Sequence, residues 1–312
     1  MRNIYILITF IPVILLSERL DIVEIGHLEG KGYYNDIKID GKYGYIAAGK
    51  GGIVIVDLAD PDFPKKIGEI ESMDYTYSLD IQGFKLFMAD GKAGVRIFDI
   101  RDKENLEQRS FIPTRYSSFD IKVSGQYGYV AEGEGGFRII DISKVDFPSE
   151  IARFNDKINI RALDIENGYA YLADSKGIII LDISNPDSLV NPIWIKTIDS
   201  VNNILSDGRW LFASGGDRDF IVSNVALPRY SITQKIPGDY KEIKDLSLSG
   251  FHLYVAKGDF GISILNLLVP FSPEVVNHTL VIEEAIGIYV SGNLLFVTAG
   301  YDGLNVYQIT EE

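Results

Sequence analysis

Apolar residues occur along the chain in short runs, and glycine, asparagine, aspartate or proline separates one run from the next. Ile53–Asp57 reads IVIVD and Phe137–Asp141 reads FRIID. Short runs rich in β-branched and aromatic residues and bounded by turn formers predict β-strands. Because many of these runs are apolar at nearly every position, their strands are predicted to be covered on both faces. The pattern therefore predicts an all-β protein.

The runs repeat with a regular period. The segment Asp36–Ala47 (DIKIDGKYGYIA) is nearly interchangeable with Asp120–Ala131 (DIKVSGQYGYVA). A turn glycine in this context recurs seven times, at spacings of 42, 42, 43, 40, 42 and 42 residues: Gly41, Gly83, Gly125, Gly168, Gly208, Gly250 and Gly292. A repeat of this length with four predicted strands corresponds to one propeller blade. The sequence predicts a seven-bladed β-propeller.

The two ends of the chain carry an incomplete set of strands. Too few strands follow Gly292 to fill a blade, and an additional strand, Leu20–Leu28, precedes the first blade. This strand resembles the fourth strands of other repeats, such as Lys66–Ile70. We expect it to complete the seventh blade and close the ring, which leaves only short, protected sheet edges.

The segment Ile53–Pro61 (IVIVDLADP) resembles the LVIVD-repeat β-propeller family, which is named for this strand. The resemblance extends over nearly the whole chain after the first 19 residues, and blade 5 departs from it most, at Phe220–Asn224 (FIVSN). The resemblance implies a propeller similar to surface and extracytoplasmic proteins. It supplies no catalytic residues.

The beginning of the chain differs from the repeats. Arg2 is followed by the apolar run Ile4–Leu16. A short positive region before an apolar run of this kind is typical of a signal peptide, and the run is shorter than the roughly 20 residues of a membrane-spanning helix. We expect residues 1–17 to be a signal peptide and residues 20–312 to form the propeller. An uncleaved apolar leader or a buried first strand is the alternative.

Charge and cysteine content narrow the function classes. The chain has 30 lysines and arginines against 44 aspartates and glutamates, a net charge of −14, which repels phosphate backbones and makes nucleic acid an unexpected partner. Cysteine is absent, so disulfides, thiolate nucleophiles and cysteine-ligated metals are excluded. No second apolar stretch reaches spanning length, so no transmembrane anchor is predicted for the mature chain.

The start of each first strand faces the central channel of a propeller. Three carboxylates, Asp36, Asp120 and Asp245, occupy equivalent positions there. One interpretation is a cation site, with Ca²⁺ as the cofactor, because oxygen ligands suit hard cations. The other is that these side chains are solvated or bonded to adjacent backbone, in which case no cofactor is needed.

One rim of the disc is predicted to be rich in tyrosine and charge. The loops that lead into the first strands and the hairpins between second and third strands share this rim, and their tyrosines are Tyr33, Tyr34, Tyr75, Tyr77, Tyr116, Tyr240 and Tyr301. The hairpins add Glu132, Glu134, Arg218, Asp219, Lys257, Asp259 and Asp302. Tyrosine combines a large apolar face with a hydroxyl group, which suits a binding surface. Packing of the rings against one another is the alternative.

These features favour a secreted or cell-surface propeller, expected to be a monomer, that binds a protein or glycan partner through this rim without chemistry of its own. The sequence has no nucleophile elbow and no phosphate-binding loop ahead of a helix. The alternative is an extracytoplasmic metal-dependent hydrolase or lactonase with a cation held in the channel by the three aspartates.

Overall fold

The structure is a computed structural model that describes residues 20–197, 200–215, 219–236, 240, 242–279 and 284–311. The described strands form seven antiparallel sheets of four strands each. The predicted signal peptide lies outside the described residues. The prediction of an all-β, seven-bladed propeller is confirmed.

The strands, in chain order, are β1 (Leu20–Glu29), β2 (Asp36–Asp40), β3 (Tyr43–Ala47), β4 (Ile53–Asp57), β5 (Lys65–Ile70), β6 (Ser78–Gln82), β7 (Lys85–Ala89), β8 (Val95–Asp99), β9 (Glu107–Ile112), β10 (Asp120–Ser124), β11 (Tyr127–Ala131), β12 (Phe137–Asp141), β13 (Ser149–Phe154), β14 (Ile160–Glu166), β15 (Tyr169–Asp174), β16 (Gly177–Asp182), β17 (Ile193–Lys196), β18 (Val201–Ser206), β19 (Trp210–Gly215), β20 (Asp219–Asn224), β21 (Ile232–Ile236), β22 (Asp245–Ser249), β23 (His252–Ala256), β24 (Ile262–Asn266), β25 (Glu274–Thr279), β26 (Gly287–Ser291), β27 (Leu294–Thr298) and β28 (Gly303–Glu311). A short 3₁₀ helix, Pro228–Tyr230, lies between β20 and β21. Blades 1 to 6 take four consecutive strands each, starting from β2.

The ring closes between the two ends of the chain. Blade 7 consists of β26, β27 and β28, and β1 is its outermost strand. β1 pairs antiparallel with β28, from Leu20 opposite Glu311 to Glu29 opposite Gly303. The expectation that the first strand completes the last blade is confirmed.

The hydrophobic core lies between the blades. Seven clusters of buried side chains occur, one at each junction between neighbouring blades. Third strands are buried on both faces, and the apolar positions of β4 from Ile53 to Val56 are all buried. Each such side chain contributes about 1.5–3 kcal/mol when it leaves water. This burial explains why the third strands lack the usual alternation.

Turn chemistry follows the sequence pattern. In blades 1 to 6, the aspartate or asparagine that ends the third strand accepts a hydrogen bond from the backbone N–H two residues later, as Asp57 does from Ala59 at 2.9 Å and Asn266 from Leu268 at 2.9 Å. Gly41, in the turn between the first two strands of blade 1, has a φ of 62°. A positive φ at this position favours glycine, which explains why the glycine recurs in every repeat.

Two arginines interrupt the apolar third strands of blades 2 and 3. Arg96 donates a hydrogen bond to buried Asp90 at 3.2 Å, and Arg138 donates one to buried Glu132 at 2.9 Å. Arg153 also donates to Glu132, at 2.5 Å. Glu132 therefore has two cationic partners and is a structural residue, which corrects its expected place on the exposed rim.

The disc has two distinct faces. The start of each first strand and the hairpin between second and third strands lie at the same end of a blade, since Asp36 is paired with Ala47 and Ala47 with Ile53. We call this the mouth face. The loops between third and fourth strands lie on the opposite face, where Tyr230 is found.

Candidate functional site

Seven side-chain positions, one from each blade, form an upper ring around the channel on the mouth face. Their strand registers are equivalent, since Asp36 is paired with Ala47, Asp120 with Ala131 and Asp245 with Ala256. The ring contains Asp36, Ser78, Asp120, Ala162, Asn203, Asp245 and Gly287. Asp36, Asp120 and Asp245 thus occupy equivalent positions, as the sequence predicts, and Ala162 follows a bulge in β14.

A lower ring lies two residues further along each first strand. Alternate residues of a strand share one face, so these positions lie below the upper ring. The lower ring contains Lys38, Asp80, Lys122, Asp164, Leu205, Ser247 and Tyr289. Two cations and two further carboxylates thus occupy the channel. They are absent from the candidates drawn from the sequence, although the period of two residues contained the signal.

The channel aspartates connect neighbouring blades. Asp36 accepts a hydrogen bond from the Leu79 backbone N–H of blade 2 at 2.9 Å, and Asp245 accepts one from the Ile288 N–H of blade 7 at 2.9 Å. In the lower ring, Asp80 accepts from the Val123 N–H at 2.7 Å. Asp120 and Asp164 make the corresponding bonds to blades 4 and 5. These carboxylates join blades to one another.

The three upper-ring carboxylates accept hydrogen bonds from neighbouring side chains and backbone N–H groups. Lys38 donates to Asp36 at 2.6 Å, Ser78 donates to Asp120 at 2.7 Å, and the remaining oxygens accept backbone N–H groups. Among the residues that the structure describes, no three carboxylate or imidazole groups come together in an arrangement suited to a metal. These bonds are those of the alternative in which the aspartates bond to adjacent groups, and the cation-site interpretation stays a prediction.

Lys122 is the most unusual group in the channel. Burial disfavours its charged form, but the nearby carboxylates, with Asp120 and Asp164 the strongest, hold the pKa of the ammonium well above its usual range. Within the described part of the chain, its Nζ makes no hydrogen bond or ion pair, whereas Lys38 is bonded to Asp36. Lys122 therefore presents free N–H donors to the channel.

Two carboxylates of the channel have perturbed acidity. Burial raises the pKa of Asp164 to about 6, against the lowering effect of Lys122 and two backbone N–H groups. Burial, assisted by the charge of Asp36, raises the pKa of Asp245 to about 6 as well. Both groups exchange protons in the mildly acidic range.

The mouth of the channel opens into a cavity of about 250 Å³. The residue before each upper-ring position borders it: Asn35, Tyr77, Phe119, Arg161, Asn202, Lys244 and Ile286. Tyr77 and Phe119 form an aromatic wall with ring centroids 4.9 Å apart, and the Arg161 guanidinium lies 5.0 Å from the Phe119 centroid. The mouth therefore combines aromatic rings with cations, and Arg161 lies against one of these rings.

The predicted rim tyrosines fall into two groups. Tyr33, Tyr75, Tyr77 and Tyr116 are partly exposed and Tyr301 is 77% exposed. The Tyr33 and Tyr301 rings meet edge to face at 5.0 Å, and Tyr75 lies 4.5 Å from Tyr77. Together with Phe119, these tyrosines form what we call the aromatic arc.

The other two tyrosines belong to the core. Tyr34 is 1% exposed and Tyr240 is 7% exposed, and each packs in a cluster between blades. Their placement on the exposed rim was wrong. Lys257 is also buried and has an interaction partner, while Arg218 and the side chain of Asp219 lie outside the described residues.

Hairpin glycines make room for the aromatic arc. A Cβ at Gly49 would lie 2.8 Å from Cζ of Tyr75, and one at Gly133 would lie 2.7 Å from Cε2 of Phe119. Both distances are too short for a side chain, so each ring lies directly on the hairpin backbone. The hairpins of blades 1 and 3 therefore support two rings of the arc.

A second cavity of about 220 Å³ adjoins the mouth over blade 3. Tyr116, Glu134 and Asn159 border it, and it shares Phe119 and Arg161 with the channel mouth. The two cavities are therefore neighbours on the mouth face, and we call the pair the depression.

Comparison with known proteins supports the fold. The LVIVD repeat matches residues 31–71, 117–156 and 161–191, which correspond to blades 1, 3 and 4. The β-propeller domain of Myceliophteria thermophila Cps50 (Swd1) is 14% identical, with a TM-score of 0.73 over 93% of this chain and 100% of that one. The computationally designed Ika8 protein is 11% identical, with a TM-score of 0.66 over 91% and 99%.

No curated protein matches the chain. Within the described residues, no helix has the length and apolar character needed to cross a membrane. The similar solved structures share the architecture alone at these identities. The chain is a seven-bladed β-propeller with LVIVD repeats in three segments, consistent with the LVIVD-repeat propeller family.

Proposed function

We propose that this propeller is a non-catalytic interaction module, secreted or displayed at the cell surface as a monomer, that binds a protein or glycan partner through the rim of its mouth face. A β-propeller with LVIVD repeats suggests an interaction module. The apolar run Ile4–Leu16 behind Arg2 supports export.

The aromatic arc is the observation that carries this proposal. Two of its rings, Tyr77 and Phe119, border a cavity that residues of all seven blades line, and Arg161 and Lys244 lie at the same mouth. Tyrosine and arginine supply large contact areas with directed hydrogen bonds, which makes them frequent binding hot spots. The mouth face is therefore better equipped for recognition than for bond cleavage.

The hydrolase alternative receives no support from the channel. A metal-dependent mechanism requires carboxylate oxygens that converge on one point. Here the oxygens of Asp36, Asp120 and Asp245 instead accept hydrogen bonds from Lys38, Ser78 and backbone N–H groups. These bonds assign the aspartates to blade connection.

The test compares two faces of the disc. Purified wild type, the double variant Tyr75→Ala/Tyr116→Ala and the control Tyr230→Ala are applied to a glycan array and, with photo-crosslinking, to an extracellular protein fraction. We expect capture to be lost in the double variant and kept in the control, because Tyr230 is exposed on the opposite face.

Melting temperatures decide between recognition and packing. The proposal expects the double variant to melt near the wild-type temperature. Equal capture by all three proteins contradicts a binding role for the arc. A large loss of stability in the double variant assigns these rings to packing on the hairpins.

A further inference from the structure

We propose that the channel mouth binds the terminal residue of a neutral saccharide. This inference rests on the proposed function and selects the glycan class of partner. Four observations carry it: free donors, an aromatic wall, the charge balance of the channel and the shape of the depression.

Two cationic hydrogen-bond donors at the mouth, Lys122 and Arg161, are available to a ligand. Neither Lys122 nor Arg161 makes a hydrogen bond or ion pair with any group in the described ranges, and both border the cavity. The acceptors nearby are already engaged, since Asp120 accepts bonds from Ser78 and from two backbone N–H groups. A ligand for this site must therefore bring oxygen acceptors to a lysine and an arginine.

The aromatic wall requires a ligand with an apolar face. Tyr77 and Phe119 border the cavity, and Tyr75 packs against Tyr77 from behind at 4.5 Å. A pyranose ring has C–H groups on one face and hydroxyl groups at its edge. Such a ring stacks on an aromatic side chain while its hydroxyls accept hydrogen bonds from cations at the side, which matches the arrangement of the wall and the donors.

The charges below the mouth favour a neutral ligand. Lys122 is already surrounded by the carboxylates of Asp36, Asp80, Asp120 and Asp164, which stabilise its charge. An anionic ligand at Lys122 would be repelled by these four groups at close range. A cationic ligand would meet Lys122, Arg161 and Lys244 instead. Neutral hydroxyl groups satisfy the free donors without either penalty.

The shape of the depression indicates how a chain would lie. The mouth cavity of about 250 Å³ and the side cavity of about 220 Å³ are adjacent and share Phe119 and Arg161 as bordering residues. The terminal sugar occupies the mouth, and the next residue lies over blade 3, where Glu134 and Asn159 border the cavity. Phe119 and Arg161 contact both residues.

The test is saturation-transfer NMR of the purified protein with methyl glycosides of glucose, galactose, mannose and N-acetylglucosamine and their β-linked disaccharides. Glucuronic acid and an acidic peptide serve as charged probes. We expect transfer to at least one neutral glycoside, strongest at its ring C–H protons. The disaccharide should bind more tightly than the monosaccharide, because it fills both cavities.

Two variants identify the site. Tyr77→Ala and Arg161→Gln should each weaken binding at least tenfold. Arg209→Gln is the matched control, because Arg209 also lies over an aromatic ring, that of Trp210, but away from the mouth. Arg161 makes no intramolecular ion pair among the described residues, so its replacement should leave the melting temperature unchanged.

The outcomes separate this inference from the proposed function. No transfer to any neutral glycoside, or transfer that persists in both mouth variants, overturns the saccharide site. Binding of glucuronic acid or the acidic peptide alone overturns the neutral class. If the Tyr75→Ala/Tyr116→Ala variant still loses a protein partner while no saccharide binds, the interaction module stands and the saccharide inference fails.

Discussion

The carboxylate of Asp120 in blade 3 accepts a hydrogen bond from the backbone N–H of Leu163 in blade 4, at 2.9 Å. Its second oxygen accepts from the Ile121 N–H of its own strand at 2.8 Å. One side chain therefore bonds the inner strands of two blades together. Asp36 and Asp245 make the same connection at two other junctions, so the acidic channel is part of what holds the ring together.

Replacing this carboxylate should destabilise the ring. Asp120→Ala leaves the N–H of buried Leu163 without its acceptor, and we expect a loss of about 1–3 kcal/mol in the free energy of unfolding. Denaturant titration measures it. Asp156→Ala, at an exposed position, is the control and should change stability by no more than about 0.5 kcal/mol. Equal effects of the two substitutions would refute the role of Asp120 in joining blades.

The closing strand should contribute strongly to stability. Ile22 in β1 is 6% exposed, while its neighbour Val23 is 53% exposed. Ile22→Ala should lower the free energy of unfolding by about 2–5 kcal/mol because it leaves a cavity between blades 6 and 7. Val23→Ala should have little effect in the same thermal melts. Similar melting temperatures for both variants would show that β1 does not support the junction.

The raised pKa values of Asp164 and Asp245 predict a pH dependence of stability. Each has a pKa of about 6 in the folded protein, above the roughly 3.9 of an unfolded aspartate, so the folded state binds more protons between these values. Their contribution to the free energy of unfolding should therefore fall as pH rises from about 4 to 6 and stay constant above.

The size of this effect is at most about 3 kcal/mol for each group, since one pKa unit corresponds to about 1.4 kcal/mol. The measurement is the difference in unfolding free energy between wild type and Asp164→Asn or Asp245→Asn at several pH values. In each variant, the unfolding free energy should decrease less than in the wild type as the pH rises from about 4 to 6. A difference that does not vary with pH would contradict the assignment.

Calcium should not stabilise the protein. The oxygens of Asp36, Asp120 and Asp245 are engaged by Lys38, Ser78 and backbone N–H groups, and a cation would have to displace them. Calorimetric melting in chelator and in excess Ca²⁺ should give the same midpoint, because only a ligand that binds the folded state raises it. A rise that Asp245→Asn abolishes would support the cation-site interpretation.

The fold could be predicted from the sequence because each repeat contains residues that are typical of its turns. The glycine of the first turn and the aspartate that ends the third strand have local roles, as at Gly41 and Asp57. A local role restricts the residue type at one position, so the same residue type recurs at that position in successive repeats. The position of the closing strand β1 could also be predicted from the sequence. Its resemblance to other fourth strands identified its place in blade 7.

The site was harder to predict because it depends on side-chain direction. Tyr33 and Tyr34 are adjacent, yet Tyr33 contacts Glu284 on the mouth face while Tyr34 is buried in the junction of blades 7 and 1. Residue type alone does not distinguish the exposed tyrosine from the buried one. Lys122 was not among the predicted site residues for a related reason. The sequence does not show which side chains of a first strand line the channel below its mouth. The position two residues beyond Asp120 was the available signal.

The pairing of Leu20 with Glu311 brings the two described ends of the chain together on the face opposite the mouth, since β1 and β28 meet the mouth face at Glu29 and Gly303. A linkage to a surface through either end would therefore attach the propeller by the face opposite the mouth. With such a linkage, the aromatic arc and the channel mouth would face away from the attachment, and either end of the chain would give this orientation.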